Sequence, residues 1–268
     1  SSIFIDDCIE RGKTIQEGGS RYQFNNFFFA GCATLADSLA AIDYAVFQQK
    51  KLTLPELVAA CDNDFEGQEP LRQYLINKAP KFGNDIDEVD SRIAEIEVNA
   101  CRYAQQIHDC RGGYYSCGNM SQTHHIALGN MVGATPDGRK AYTFFSDNAS
   151  PMGGRDTHGP TAATNSVAHM HVEENHGGTL YNIRFDSHSV EGEKGRRIIE
   201  GIFSNFCENG GFHIQANVVD NEVLRAAQKD PENYRDIVVR VSGYLAYFTE
   251  LDRQVQDSVI DRTVHLVD

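Results

Sequence analysis

Apolar and polar positions along this chain alternate between two periods. Residues 27–29, 178–185 and 237–239 are short β-branched or aromatic runs and read as buried strands. Between them, apolar residues recur three and four apart. Thr34 opens one such helix, with Leu35, Leu39, Ile42 and Val46 on a single stripe and Asp37 placed for a weak capping box. Residues 54–60, 70–77, 86–108, 165–168, 198–207 and 221–229 read as further helices, and another begins at Asp252. Helices that alternate with short strands predict α/β packing on a parallel sheet. No repeat, low-complexity tract or proline-rich linker divides the chain, so residues 1–268 are expected to form one portion. Ser242-Gly243 breaks the last strand, which places Gly243 at a strand-to-helix turn, where positive φ favours glycine.

Composition narrows the function classes. The net charge is −14, and the basic residues form nothing longer than pairs such as Lys50-Lys51 and Arg196-Arg197. A nucleic-acid partner held by phosphate neutralisation is therefore not expected. No run approaches eighteen apolar residues, so no membrane partner is expected either. The chain opens inside an amphipathic pattern without methionine, which reads as a segment whose true start lies upstream. Seven cysteines stand at irregular spacing with no Cys-x-x-Cys pair, which favours reduced thiols in a cytoplasm over zinc or iron–sulfur binding.

Two stretches imitate other chemistry. Gly133 to Lys140 spaces its glycines like a phosphate loop, but Arg139 and Lys140 stand where lysine and serine or threonine belong. It reads as a turn. His169, His171 and His176 invite a metal reading, yet no carboxylate joins them at helical ligand spacing, so no metal is expected.

The C-terminal motifs are more specific. Gly210-Gly211-Phe212-His213-Ile214-Gln215-Ala216-Asn217-Val218-Val219 is followed by Asp230-Pro231-Glu232-Asn233-Tyr234. Then come Arg240-Val241-Ser242-Gly243-Tyr244 and Val255-Gln256-Asp257, with Ile260 and Arg262-Thr263 beyond. Upstream stand Gly18-Gly19-Ser20-Arg21-Tyr22-Gln23-Phe24 and Thr135-Pro136-Asp137-Gly138-Arg139. In this order they closely resemble the C-terminal part of glycyl radical enzymes, the pyruvate formate-lyase superfamily. Within it the pattern is similar to the eliminating branch of glycerol, propanediol and hydroxyproline dehydratases and choline trimethylamine-lyase.

The resemblance implies the C-terminal part of a ten-stranded α/β barrel, with residues 210–268 as a glycyl radical domain whose loop points to the barrel centre. It implies that Gly243 loses a hydrogen atom and stores a radical, with Arg240, Val241, Ser242 and Tyr244 as its loop. The residue type suits that task, because a carbon radical flanked by two peptides is stabilised when flat, and a side chain would clash. A separate activating enzyme, using S-adenosylmethionine and an iron–sulfur cluster, would remove the hydrogen, and oxygen would cleave the chain at the glycine. The radical would act through a cysteine on an opposing loop, expected outside this chain, in the same parent chain or a separate subunit. The complete enzyme is expected to be a homo-oligomer acting on a small molecule, with loss of water or another leaving group. Cys32 is the nearest imitation of that cysteine and is expected to pack as a small hydrophobe.

Ala216, residues 183–186 and Met120 depart from the branch pattern. Met120, Asn217 and Val219 are candidates for the substrate pocket, and each could instead pack the sheet. Arylacetate decarboxylation, an acyltransferase like pyruvate formate-lyase, a non-catalytic spare subunit and a structural remnant remain as alternatives.

Overall fold

The computed structural model describes residues 1–170 and 173–267. A short helix α1 (Cys8–Arg11) precedes strand β1 (Phe24–Phe28). Helices α2 (Cys32–Ile42), α3 (Leu54–Asp62), α4 (Glu69–Lys78) and α5 (Asp87–Gln105) follow. Next come β2 (Tyr114–Gly118), α6 (His124–Gly129), α7 (Pro160–Ala168), β3 (Leu180–Phe185) and α8 (Gly192–Glu208). The chain ends through β4 (His213–Val218), α9 (Asn221–Lys229), β5 (Val238–Arg240), β6 (Leu245–Tyr247) and α10 (Arg253–Asp261).

Strands β1 and β2 pair in parallel, as do β3 and β4. A parallel bridge between Asn119 and Thr179 joins the two pairs, so the four strands run in the order β1-β2-β3-β4. The parallel α/β packing read from the pattern is what the fold shows.

Side chains on β3 point alternately to two faces. Tyr181, Ile183 and Phe185 enter a core with Phe82, Ile93, Val167, Met170 and Phe206 of the helical layer. A second core, with Leu57, Phe65 and Leu75, closes the α3–α4 corner. The third, with Leu224, Val239, Val241, Phe248, Val259 and Ile260, is built only from residues beyond β4.

Several local expectations are corrected. Helix α2 starts at Cys32 behind Gly31, so Thr34 does not cap it. Thr34 instead exchanges hydrogen bonds with Ser146, at 3.1 and 3.0 Å. The face of α2 turned inward carries Ala33, Ala36, Ala40 and Ala41, while Leu35 is 43% exposed. Small side chains let the helix approach its neighbours closely, and that closeness outweighs the larger apolar area of the leucine stripe. Phe27 and Phe28 are 52% and 44% exposed rather than buried, because β1 is the outermost strand. The break at Gly243 joins two antiparallel strands, β5 and β6, not a strand and a helix.

The reading of the phosphate-loop imitation as a turn holds. Residues 133–140 form a turn closed by Gly138 N–H on the Thr135 carbonyl at 2.9 Å. The Arg139 guanidinium locks it by donating to the Thr143 carbonyl at 2.6 Å and lies 4.6 Å from the Phe145 ring centre. His171 lies outside the described residues. His169 Nδ1 is 3.2 Å from the Asn165 carbonyl, and His176 Nδ1 is 3.5 Å from the Tyr114 hydroxyl. Among the described residues no group of three His, Cys, Asp or Glu side chains could hold a metal. Among them, too, no helix is long and apolar enough to cross a membrane.

Two polar clusters lie inside the helical layer. Asp37 and Asp137 are fully buried, with Arg155 Nη1 at 3.8 and 3.5 Å from their outer oxygens. Burial raises the Asp37 carboxyl, and Lys81 and Arg155 oppose that rise. The other cluster lies beside Cys32, which packs in the first core as the small hydrophobe expected. Its buried thiol lies 3.4 Å from Asn119 Oδ1, and the Asn119 amide donates to Glu97 at 2.8 Å. Burial pushes the Glu97 carboxyl up to about 7, and burial raises the Cys32 thiol well above its usual value.

Replacing Arg155 with methionine is expected to destabilise the chain by about 3 kcal/mol, because it removes the guanidinium shared by two buried carboxylates and leaves Lys81 to oppose them alone. Denaturant midpoints measure this. Glu97 also predicts a pH dependence. Its folded value lies above its ordinary 4.5, so the folded state binds a proton that the unfolded chain releases. Its contribution is complete below pH 4.5 and declines as pH rises to about 7, by up to about 3 kcal/mol. Melting temperatures from pH 5 to 8 are expected to fall less steeply in Glu97→Gln than in the parent.

Candidate active site

Strands β5 and β6 form a short hairpin, with Arg240 opposite Leu245. Val241 N–H donates to the Tyr244 carbonyl at 3.0 Å and closes the tip. Gly243 holds φ +82°, and a Cβ built there would stand 3.6 Å from Leu180 Cδ1, an ordinary contact. Backbone conformation, not lack of room, is what calls for glycine here. Val241 and Ser242 are buried, whereas Gly243 and Tyr244 are exposed. The hairpin thus roots itself in the body and leaves its tip uncovered in this chain.

The root is gripped by side chains from four segments. Asn182 on β3 donates to the Val241 carbonyl at 3.1 Å and to Asp147 at 2.8 Å. Arg262, just after α10, donates to the same carbonyl at 2.6 Å, to the Arg240 carbonyl at 2.8 Å and to Asp147 at 2.7 Å. Asn217 on β4 clamps Arg240 from both sides: its amide donates to the carbonyl at 3.2 Å, and its oxygen accepts from the N–H at 2.9 Å. Asn148 holds Ser242 Oγ at 3.0 Å and accepts from Ser121 N–H at 2.6 Å. Among the described residues neither the N–H nor the carbonyl of Gly243 has a hydrogen-bond partner.

The three pocket candidates fall in different places. Asn217 is engaged with Arg240, as above. Val219 packs against the third core, and its carbonyl accepts from Arg184 Nε at 3.0 Å. Met120 is partly buried near the end of β2, with its methyl toward Gly178. Arg184, one of the departures from the branch pattern, is 1% exposed, donates to Asn221 at 2.8 Å and is lowered to about 10 by burial. It ties β3 to the last third of the chain.

Sequence reasoning missed Asp147, Asn148, Asn182 and His125. Asn148 holds φ +51°, which a non-glycine residue rarely adopts, but no pattern in its neighbours announces it. His125 is buried, with Nε2 3.0 Å from Ser258 Oγ and Nδ1 3.5 Å from Asp147. Burial lowers its pKa, so the ring is neutral at pH 7. The expectation of a cysteine outside the chain also passes over one Cys-x-Glu triplet, Cys8-Ile9-Glu10. Cys8 is 3% exposed in α1, where its N–H donates to the Ile5 carbonyl and its own carbonyl accepts from Gly12 and Lys13.

Comparisons with known proteins agree with this geometry. The pyruvate formate lyase-like family model matches residues 1–129. The glycine radical model matches residues 145–249, the range that holds Asn148, Asn182 and the hairpin. The trans-4-hydroxy-L-proline dehydratase of Clostridioides difficile is 42% identical over 98% of this chain and 33% of its own length. A probable dehydratase of Escherichia coli, YbiW, is 41% identical over 99% of this chain and 34% of its own. The glycerol-bound B12-independent glycerol dehydratase of Clostridium butyricum superposes with a TM-score of 0.94 at 40% identity, covering 99% of this chain and 34% of that one. The chain therefore spans about a third of the length of these relatives. Two domain models in sequence order, and relatives aligned from end to end of these 268 residues, lead to one conclusion: the chain belongs to the glycyl radical enzyme family.

Proposed function

We propose that this chain is the radical-bearing C-terminal part of a glycyl radical lyase, with residues 210–268 as its glycyl radical domain. Gly243 stores the radical after an activating enzyme, using S-adenosylmethionine and an iron–sulfur cluster, removes one hydrogen atom from its Cα. In turnover the Gly243 radical takes a hydrogen atom from a cysteine thiol: the S–H bond breaks, the Cα–H bond forms, and a thiyl radical remains. The thiyl radical takes hydrogen from a substrate carbon, and the substrate radical loses water or another leaving group from the adjacent carbon. Return of the hydrogen through sulfur restores both centres.

One observation carries the reading. A left-handed glycine sits at the tip of a hairpin whose root is clamped, and its own peptide groups bond nothing among the described residues. Flattening of that carbon would then break no hydrogen bond. The exposed tip and the outward Phe24, Phe27 and Phe28 of β1 favour a cover supplied by an N-terminal part that carries the cysteine. Such a part would also supply the strands that complete the barrel, and a homo-oligomer of the whole enzyme fits the reading. Water is the expected leaving group, given the dehydratases among the relatives. A spare radical subunit is the second reading. It needs little beyond the hairpin, and the extensive helical layer here favours the first.

Anaerobic activation of the whole enzyme is expected to give an electron paramagnetic resonance doublet, abolished in Gly243→Ala. Admission of oxygen is expected to cut the activated chain at residue 243 and leave the unactivated chain intact. A doublet that persists in Gly243→Ala would refute the assignment.

A further inference from the structure

The β3–β4 face beneath the hairpin is unusual for a sheet inside an α/β layer. Its register pairs are Leu180 with His213, Asn182 with Gln215 and Arg184 with Asn217. Five of these six side chains are polar, and four of them, Asn182, Arg184, Gln215 and Asn217, are at most 5% exposed. Burial of polar groups is unfavourable unless each finds a partner, so an apolar face would be the simpler way to seat a hairpin. The Gln215 side-chain amide bonds nothing among the described residues, but the other three find specific partners. Asn217 takes both polar groups of Arg240, and Asn182 takes the Val241 carbonyl, the next residue along. Arg262 then spans both of those carbonyls with one guanidinium, and Asp147 aligns Asn182 and Arg262 against each other. On the same face Leu180 lies under Gly243.

We infer that Asn182 and Arg262 are positioning residues for the radical carbon. This rests on the reading of Gly243 as the radical site. The donors fix two successive carbonyls on the N-terminal side of Gly243, and the hairpin closure at Val241 and Tyr244 carries that fixed frame across the tip. The Cα is thereby held in place while its own peptides stay free to flatten. Hydrogen-atom transfer over a fraction of an ångström is steeply sensitive to placement, so the grip on carbonyls 240 and 241 controls how often the Gly243 radical meets the thiol. Asn182→Asp keeps the shape of the side chain and removes its N–H donors, replacing attraction to the carbonyl by repulsion. Arg262→Lys keeps the charge toward Asp147 but cannot fork over two carbonyls.

The test uses the whole enzyme, activated anaerobically, with spins per chain, doublet line width and turnover per radical measured together. Asn182→Asp and Asn182→Leu are expected to keep the glycine doublet with a broadened line and to lose about 10- to 100-fold in turnover per radical. Arg262→Lys is expected to fall between them and the parent. Full turnover per radical with an unchanged line in all three would overturn the inference, even though Gly243 carries the radical. Absence of a doublet in the parent would instead remove the reading beneath it. Should Asn182→Leu fail to fold, the isosteric Asn182→Asp decides the matter by the same two readouts.

Discussion

The placement of Gly243 depends on two backbone carbonyls, those of Arg240 and Val241. Asn182, Asn217 and Arg262 all aim at them, and Asp147 holds two of those three in line. Hydrogen bonds to a charged donor in a site shielded from water are stronger than surface ones, so this grip defines the hairpin more sharply than its three paired residues could. The antiparallel pair alone would be marginal in water.

The grip also lies at a seam between separate cores. Residues beyond β4 pack their own apolar cluster, and apart from Leu180 under Gly243 the contacts described above between that cluster's elements and the rest run through polar side chains. His125 to Ser258 and Arg184 to Asn221 belong to the same seam. A hydrogen-bonded seam sets direction and register, which apolar packing does less precisely. The arrangement keeps one glycine at a defined point without enclosing it.

Much of the architecture was legible in the sequence. The helices at 54–62, 221–229 and 253–261 and the strand at 180–185 follow from periodicity and turn residues. The motifs around Gly243 pointed to the family on residue types alone. What stayed hidden has physical reasons. The inward face of α2 is a row of alanines, which hydrophobicity patterns undervalue. Phe27 and Phe28 look like core residues because a pattern records apolarity, not what lies beside the strand. Asp147, Asn148 and Asn182 are ordinary polar residues in sequence, and only the fold brings them to the Arg262 guanidinium, the Ser242 hydroxyl and the Val241 carbonyl far along the chain. Cys32 reads as a small hydrophobe and packs as one, but nothing in the sequence announces the Asn119 and Glu97 set against its thiol.

The exposed position of Gly243 is the feature on which the account stands or falls. A stored carbon radical needs shelter from solvent and oxygen, and this chain grips the hairpin without covering its tip. A crystal structure of the whole enzyme measures the point directly, through the exposure of Gly243 Cα and its distance to the nearest cysteine sulfur. The account predicts a buried Cα with a sulfur in van der Waals contact, roughly 3.5–4 Å away. A Gly243 still open to solvent there, with no thiol near it, would contradict it.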